Sequence, residues 1–262
     1  MILSRRVALD GVQLDEKDER IVITGIDEDA GKDTISTVSS AAANGQRITT
    51  QRRDTLDVTV RFKLLVRKED MITREALLEV VNAWAARGGW LQVGHKPQRK
   101  ILVVLAQAPG AGDMFNWTNE YSIVFRAYAV PYWEDEMPVS VKGGTAASGS
   151  LWLNVPGNTR TVMSVVAQNR SGMTIDTLSI TAAGQTIAFN GLRLGGSSAL
   201  TIDYNQTQKL FVIRNRIGST SVMAARTVTS ADEFVLDPGS CQVSWSAPRA
   251  VQLTCSCRGR YL

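Results

Sequence analysis

The stretch YSIVFRAYAVPYWEDEMP, Tyr121–Pro138, decides how this chain is organised. Up to Ala127 it alternates. Tyr121, Ile123, Phe125 and Ala127 fall on one side, Ser122 and Arg126 on the other, the period-2 pattern of a half-buried strand. Pro131 then ends the ladder, because it has no N–H to donate. Two aromatics, Tyr132 and Trp133, follow it, then three acids, Glu134, Asp135 and Glu136, and a second proline at Pro138. The residue pattern differs on the two sides, so the stretch is read as a domain boundary. Pro131, Tyr132 and Trp133 are expected to form an inter-domain hinge whose aromatics pack on the flanking domains. The acids are expected to stay in water.

Upstream, the pattern mixes strands with one helix. Leu56, Val58, Val60, Phe62 and Leu64 alternate with Asp57, Thr59, Arg61 and Lys63, a half-buried antiparallel strand. In TREALLEVVNAWAARGG, residues Leu77, Val80, Val81 and Trp84 repeat at i, i+3, i+4, i+7, one helical face. Thr73 is a weak start signal, and Gly88-Gly89 is a good stop. Residues 25–46 show little periodicity and read as a long loop or an extended hairpin tip.

Downstream, helical periodicity disappears. Short apolar runs such as LWLNV, TVMSVVAQN, QTIAF, CQVSWSA and VQLTCSC are separated by Pro156-Gly157, Ala183-Gly184, Asn190-Gly191, Gly195-Gly196 and Pro238-Gly239. Asn-Gly between apolar runs signals a hairpin. Many short strands with glycine-rich turns imply an all-β sandwich or barrel. The expected division is an α+β domain at 1–133, a hinge and linker at 134–150 that includes the connecting loop KGGTAASGS, and an all-β domain at 151–262.

Charge and composition exclude several functions. The net charge of +4 is too small to argue for nucleic acid by itself. Its distribution is uneven: eight acids lie between Asp15 and Asp33, against Lys17, Arg20 and Lys32. Basic residues cluster as Arg47, Arg52 and Arg53, and again as Lys96, Arg99 and Lys100. Such patches can meet phosphate or the acidic segment of a second copy, and the second is preferred. Arg47, Arg52 and Arg53 are therefore candidate subunit-interface residues, with Asp27, Glu28 and Asp29 as their acceptors across a heterologous contact. Nothing resembles a signal peptide, and no apolar run reaches membrane-spanning length. A soluble protein made in the cytosol is expected.

The search for chemistry returns no catalytic, cofactor-binding or metal-binding set. There is no glycine-rich phosphate loop, no GxSxG and no HExxH. The one histidine, His95, lies in a basic loop and is read as a surface residue. The carboxylate pairs Glu134/Glu136 and Asp232/Glu233 stand out only because acids are common. Cys241, Cys255 and Cys257 are read as free thiols near a core rather than as a zinc site. Trp152, Tyr204 and Trp245 are possible stacking platforms for sugar, with a core role favoured for Trp245.

Several stretches converge in order along the chain: QRRDTLDVTVRFKLLV, the helix ending VNAWAARGGWLQV, YSIVFRAYAVPYWED, LDPGSCQVSW and the terminal RGRYL. The order resembles the distal tail protein (Dit) family of long-tailed, siphovirus-like bacteriophages across essentially the whole chain. Pro131, Tyr132 and Trp133 carry the resemblance, as do Leu236, Pro238 and Gly239, and then Arg258, Arg260 and Tyr261. The resemblance implies a virion structural protein and not an enzyme. It implies a half β-barrel with one helix that builds a six-fold ring, and a galectin-like sandwich facing outward. The implied partners are further copies of the chain, the major tail tube protein, the tail-tip or baseplate hub protein and the tape measure protein, with DNA only in transit. No cofactor and no membrane insertion are implied. Such a ring sits at the distal tail of the virion and is assembled in the host cytoplasm. A carbohydrate-binding module for host recognition is the alternative reading.

Overall fold

A computed structural model describes residues 6–29, 31–39, 46–67, 69–109, 120–207 and 210–262. The chain divides into two compact units, Met1–Trp133 with Thr207–Leu210, and Glu134–Gln206 with Phe211–Leu262.

The first unit holds β1 (Val7–Leu9), β2 (Val12–Gln13), β3 (Ile21–Glu28), β4 (Lys32–Ser39), β5 (Gln46–Leu64), α1 (Met71–Ala85), β6 (Gly89–Val93), β7 (Arg99–Gln107) and β8 (Glu120–Ala127). Its antiparallel sheet runs β2-β1-β6-β7-β8-β5-β3, and β4 also pairs with β5. The sheet curls into a half barrel. The alternation in β5 predicts the outcome: Leu56, Val58, Val60, Phe62 and Leu64 are all buried. Leu56 faces Ala127 and Phe62 faces Tyr121 across the ladder with β8, and the Phe62 and Tyr121 rings stack at 5.6 Å. Helix α1 contributes Leu77, Leu78, Val81 and Trp84 to this core, and Trp84 meets Phe125 edge-on at 5.8 Å.

The helix differs from the sequence reading in two details. Val80 is exposed, so the apolar stripe is narrower than the spacing suggests. The cap is Asp70 rather than Thr73: its carboxylate accepts from the Thr73 backbone N–H at 3.0 Å. The helix stops before Gly88 and Gly89, which have φ of 58° and 136°. A Cβ at Gly89 would lie 2.1 Å from the Asp10 carboxylate. That carboxylate accepts from the Trp90 N–H at 2.8 Å, so glycine lets the β1–β2 turn close onto β6.

Of the two readings of residues 25–46, the extended hairpin holds among the described residues, where β4 pairs antiparallel with β5. β3 and β4 both lie along β5, which is 19 residues long. The inner part of β5 is sandwiched between β3 and β8. Its outer part, from Gln46, pairs with β4. Residues 33–38 of β4 are exposed at every position, so both faces of this strand meet solvent.

The second unit is all β. It begins with the rest of β9 (Trp133–Asp135) and continues with β10 (Val139–Val155), β11 (Thr161–Asn169), β12 (Ile175–Ala182), β13 (Gln185–Leu194), β14 (Ala199–Gln206) and β15 (Phe211–Ile217). β16 (Thr220–Ser221), a single 3-10 turn (Met223–Ala225), β17 (Val235–Leu236), β18 (Gly239–Cys257) and β19 (Arg260–Tyr261) complete it. The main sheet runs β13-β12-β18-β11-β14-β15-β16, with β10 on β18 and β17 on β11. β18 joins two expected strands into one. Its first half pairs with β12 and its second half with β11, while β10 follows both halves. The strands close around one core that includes Leu153, Val165, Ile180, Phe189, Val243 and Leu253.

Two expectations fail here. Residues 142–150 are not a connecting loop; they lie inside β10. Their small side chains serve packing. A Cβ at Gly143 or Gly149 would stand 2.9 or 2.6 Å from the Trp245 ring, and the Trp245 indole N–H donates to the Ala146 carbonyl at 3.3 Å. Asn190-Gly191 is not a hairpin turn either. It lies within β13 at a register shift against β12, with φ of 72° at Gly191 and 53° at Arg193, a bulge that re-aims the strand. The tight turn is Ala183–Gly184, with φ of 50° and 74°, as a two-residue hairpin of matching twist requires.

Candidate functional site

The boundary stretch is anchored within each unit by a separate polar cluster. In the first, the Trp133 indole N–H donates to the Glu28 carboxylate at 3.0 Å. Lys96 lies over the Trp133 ring at 4.6 Å and pairs with Glu28, while His95 Nε2 lies 2.7 Å from the other Glu28 oxygen. Burial alone would raise the Glu28 carboxyl, but the hydrogen bonds and charges of Lys96 and His95 outweigh it and hold it below its ordinary value. The site thus joins residues from three separate sequence readings: an acid expected at an interface, an aromatic expected at a hinge, and two members of a basic loop.

In the second unit, two of the three acids expected to stay wet, Glu134 and Asp135, are held by residues 258–261, while the Glu136 side chain is exposed. Glu134 is 1% exposed and accepts from Arg260 Nε at 2.8 Å. Arg258 donates to the Asp135 carbonyl at 2.7 Å and also to the Glu136 carbonyl. The Tyr261 hydroxyl donates to the Asp135 carboxylate at 3.2 Å, and the Asp135 N–H donates to the Gly259 carbonyl at 3.0 Å. A Cβ at Gly259 would come within 2.3 Å of that carboxylate. The sequence reading is corrected on this point: Glu134 is a buried ion-pair partner. The terminal arginines and the tyrosine, noted only for their resemblance, close a clasp on it. Arg260 also lies 5.7 Å from the Phe211 ring, and Phe211 stacks on Tyr204 at 4.9 Å. Burial first, then the Glu134 charge, pushes the Tyr204 hydroxyl up to about 12.

The candidate interface residues separate. Asp27 forms a half-exposed pair with Arg61 at 2.5 Å. Asp29 is exposed. Arg53 is turned inward: its side chain is 9% exposed, it reaches Asp33 at 3.3 Å, and it lies 5.9 Å from the Tyr132 ring. It also crowds the backbone of Gly31, where a Cβ would sit 2.7 Å from the guanidinium. Arg47 and Arg52 occupy positions in β5, but their side chains lie outside the described residues. The exposed surface of β4 is apolar as well as charged, because Ile35 and Val38 are 51% and 57% exposed.

Other candidates take bland places. Among the described residues no three His, Cys, Asp or Glu side chains group to hold a metal. The three cysteines are free and buried, and burial pushes the Cys255 thiol up to about 12. Asp232 pairs with Arg226 at 3.1 Å. Trp245 belongs to the core; Trp152 does not.

No family model matches the chain, and no curated protein matches it. Solved structures do. The Dit protein (gp 19.1) of phage SPP1, described as a paradigm of the hub adsorption apparatus in phages infecting Gram-positive bacteria, matches with a TM-score of 0.71. The match covers 98% of this chain and 99% of that one, at 13% identity. The fold is that of a Dit protein. The phage P2 baseplate in its activated conformation with Ca matches at a TM-score of 0.46 and 9% identity, covering 97% of each chain. Among the described residues no helix is long and apolar enough to cross a membrane.

Proposed function

We propose that this chain is a structural protein of a phage tail. Six copies would form a ring at the distal end, joining the tail tube to the tail-tip or baseplate hub and leaving a channel for the tape measure protein and DNA. The observation that carries this reading is the end-to-end fold match to SPP1 Dit, which covers 98% of this chain and 99% of that one. At 13% identity that match speaks for the fold; function is inferred from it. In this reading the first unit builds the ring and the second is its galectin-like outer domain. Pro131, Tyr132 and Trp133 are the hinge, with its flanks fixed by the Glu28 cluster on one side and the Arg260 clasp on the other.

The β4 arm supports a ring-building role. A ring subunit needs two different complementary surfaces, and a strand exposed on both faces with apolar Ile35 and Val38 is suited to be one of them. Arg53 is already engaged inside its own chain, so Arg47 and Arg52 remain the basic candidates for the neighbour's Asp27 and Asp29. The test is light scattering with negative-stain imaging of the purified chain, alone and with isolated tail tubes. Particles of six times the 28.5 kDa chain mass are expected. Ile35→Asp with Val38→Asp should dissolve them while the thermal unfolding midpoint stays put. A chain that remains monomeric under both conditions and does not bind tube ends refutes the reading.

A further inference from the structure

Within the ring reading, on which this step rests, we infer that the outer face of α1 is the seat for the Val38 face of a second copy's β4 arm.

α1 is apolar on two sides. Leu77, Leu78, Val81 and Trp84 are buried. On the opposite side Ile72, Ala76, Val80 and Ala83 are exposed, Ile72 at 84%. They fall at i, i+4, i+8 and i+11, one row about 17 Å long at 1.5 Å per residue. A surface helix normally carries polar residues there, and a contiguous exposed apolar row marks a contact site. Exposed Glu75 and Glu79 run along one side of the row. On its other side the row opens into a groove of about 340 Å³, lined by Val12, Val80, Ala83 and Trp84 together with Lys17 and Arg87. Exposed Asp15 and Glu16 directly precede Lys17, so acids outnumber bases around the row.

The β4 arm has the complementary character. Across its ladder Val38 faces Arg47, and Thr34 faces Arg52. Cross-strand partners share one face of a ribbon, so Val38 shares its face with two arginine positions. Ile35, three residues from Val38, belongs to the other face. Thr34 to Val38 spans about 13 Å at 3.3 Å per residue, which the α1 row can accommodate. Among the described residues no third strand pairs with this outer part of β4 and β5. An isolated two-stranded hairpin is marginal in water, so the arm needs a cover. Its own chain does not supply one, because residues 33–38 are exposed at every position.

Each surface carries what the other lacks: an apolar row beside acids, and an apolar strand face beside arginine positions. Asp27 is a weaker acceptor for the arm than Glu75 and Glu79, because it already pairs with Arg61 in its own chain. One surface of a subunit meeting a different surface of the next is a heterologous contact, the kind that closes into rings.

The native thiols are buried, so added cysteines report on the contact by cross-linking. Val38→Cys and Val80→Cys chains would be mixed, with and without isolated tail tubes, and treated with a short bismaleimide. The mixture should give a cross-linked pair that neither variant gives alone, and a chain carrying both changes should give a ladder ending at six. Ile35→Cys in place of Val38→Cys should give a small fraction of that yield. Glu75→Lys with Glu79→Lys should raise the chain concentration needed for assembly about tenfold or more, since like charges would then face each other. Adding Arg47→Glu with Arg52→Glu should recover most of it. Glu75 and Glu79 face solvent, so their reversal should leave the unfolding midpoint in place. Rings that form without the 38–80 cross-link, or that the reversal leaves unchanged, overturn this contact and leave the ring reading standing. Rings that stay intact while the reversal abolishes tube binding overturn it as well, and give the row to the tube protein. Chains that stay single with and without tubes overturn both.

Discussion

Replacing Arg260 by methionine should cost the second unit about 3–5 kcal/mol, because it strands the Glu134 carboxylate in a buried site. The carboxylate is 1% exposed and its one described charge partner is Arg260 at 2.8 Å. Its second oxygen, Oε2, is buried with no hydrogen-bond partner among the described residues. The pair is therefore less than fully satisfied, and its removal as a whole should be far milder than breaking it. Glu134→Leu combined with Arg260→Met should lie within about 1 kcal/mol of the native chain, since apolar replacement of a buried pair is often neutral or stabilising. Domains carry about 5–15 kcal/mol in total, so the single variant is close to unfolding and the double variant is not.

Urea denaturation followed by circular dichroism measures this. With slopes of about 1–3 kcal/mol per molar, the Arg260→Met midpoint should fall by about 1–5 M. Hydrogen exchange assigns the loss to the second unit, where amides of β10 and β18 should lose protection while those of β5 and α1 do not. Glu134→Gln separates charge from packing. Arg260 also covers the Phe211 ring, so a purely packing role predicts a loss in Arg260→Met and almost none in Glu134→Gln. The charge argument predicts losses in both and a coupling of opposite sign in the double variant. Two single variants within about 0.5 kcal/mol of native, the usual range of surface changes, would refute the clasp.

Three further outcomes follow from the geometry. Gly149→Ala places a methyl 2.6 Å from the Trp245 ring and should cost about 1–3 kcal/mol by overpacking, read as a lower unfolding midpoint; Trp245→Leu in the same chain should recover part of it. Asp70→Ala removes the acceptor of the Thr73 N–H and should cost about 1 kcal/mol, with lost amide protection confined to the first turn of α1. Glu28 is half-buried, yet Lys96 and His95 hold its carboxyl below its ordinary value. The stabilisation it brings is complete above the ordinary glutamate pKa of about 4.3 and is lost as pH falls through the lowered folded value. Lys96→Met should therefore move acid unfolding of the first unit to higher pH, and superimposable acid-unfolding curves would contradict the Glu28 cluster.

How much was legible in the sequence depended on the range of the contact involved. The alternation of Leu56, Val58, Val60, Phe62 and Leu64 is a local signal of local geometry, and the strand followed it. The helix register was legible for Leu77, Val81 and Trp84, while the cap was placed at Thr73 although Asp70, three residues earlier, supplies the acceptor for the Thr73 N–H. Glycine was the main source of error, because it signals two opposite things. Ala183–Gly184 needed positive φ for a turn. Gly191 needed it for a bulge inside a strand, and Gly143 and Gly149 needed no Cβ at all, because Trp245 arrives from about a hundred residues away along the chain.

The boundary stretch shows the same limit from the side of charge. A run of three acids is usually a solvated surface, and nothing in the residues around Glu134 argues otherwise. The signal was at the far end of the chain, in Arg258, Arg260 and Tyr261, where a second conspicuous cluster had no assigned task. Each cluster is costly or puzzling by itself: a carboxylate cannot be buried unpaired, and two arginines flanking a glycine have no local partner. Together they satisfy most of each other's needs, and Gly259 is glycine because the Asp135 carboxylate fills the space a side chain would take. Long-range polar pairs of this kind become readable once unexplained clusters of opposite charge are matched to each other before being assigned to water. In this chain that rule joins Glu134 to Arg260 and Glu28 to Lys96, and both pairs lie beside the same aromatic, Trp133, in space or in sequence.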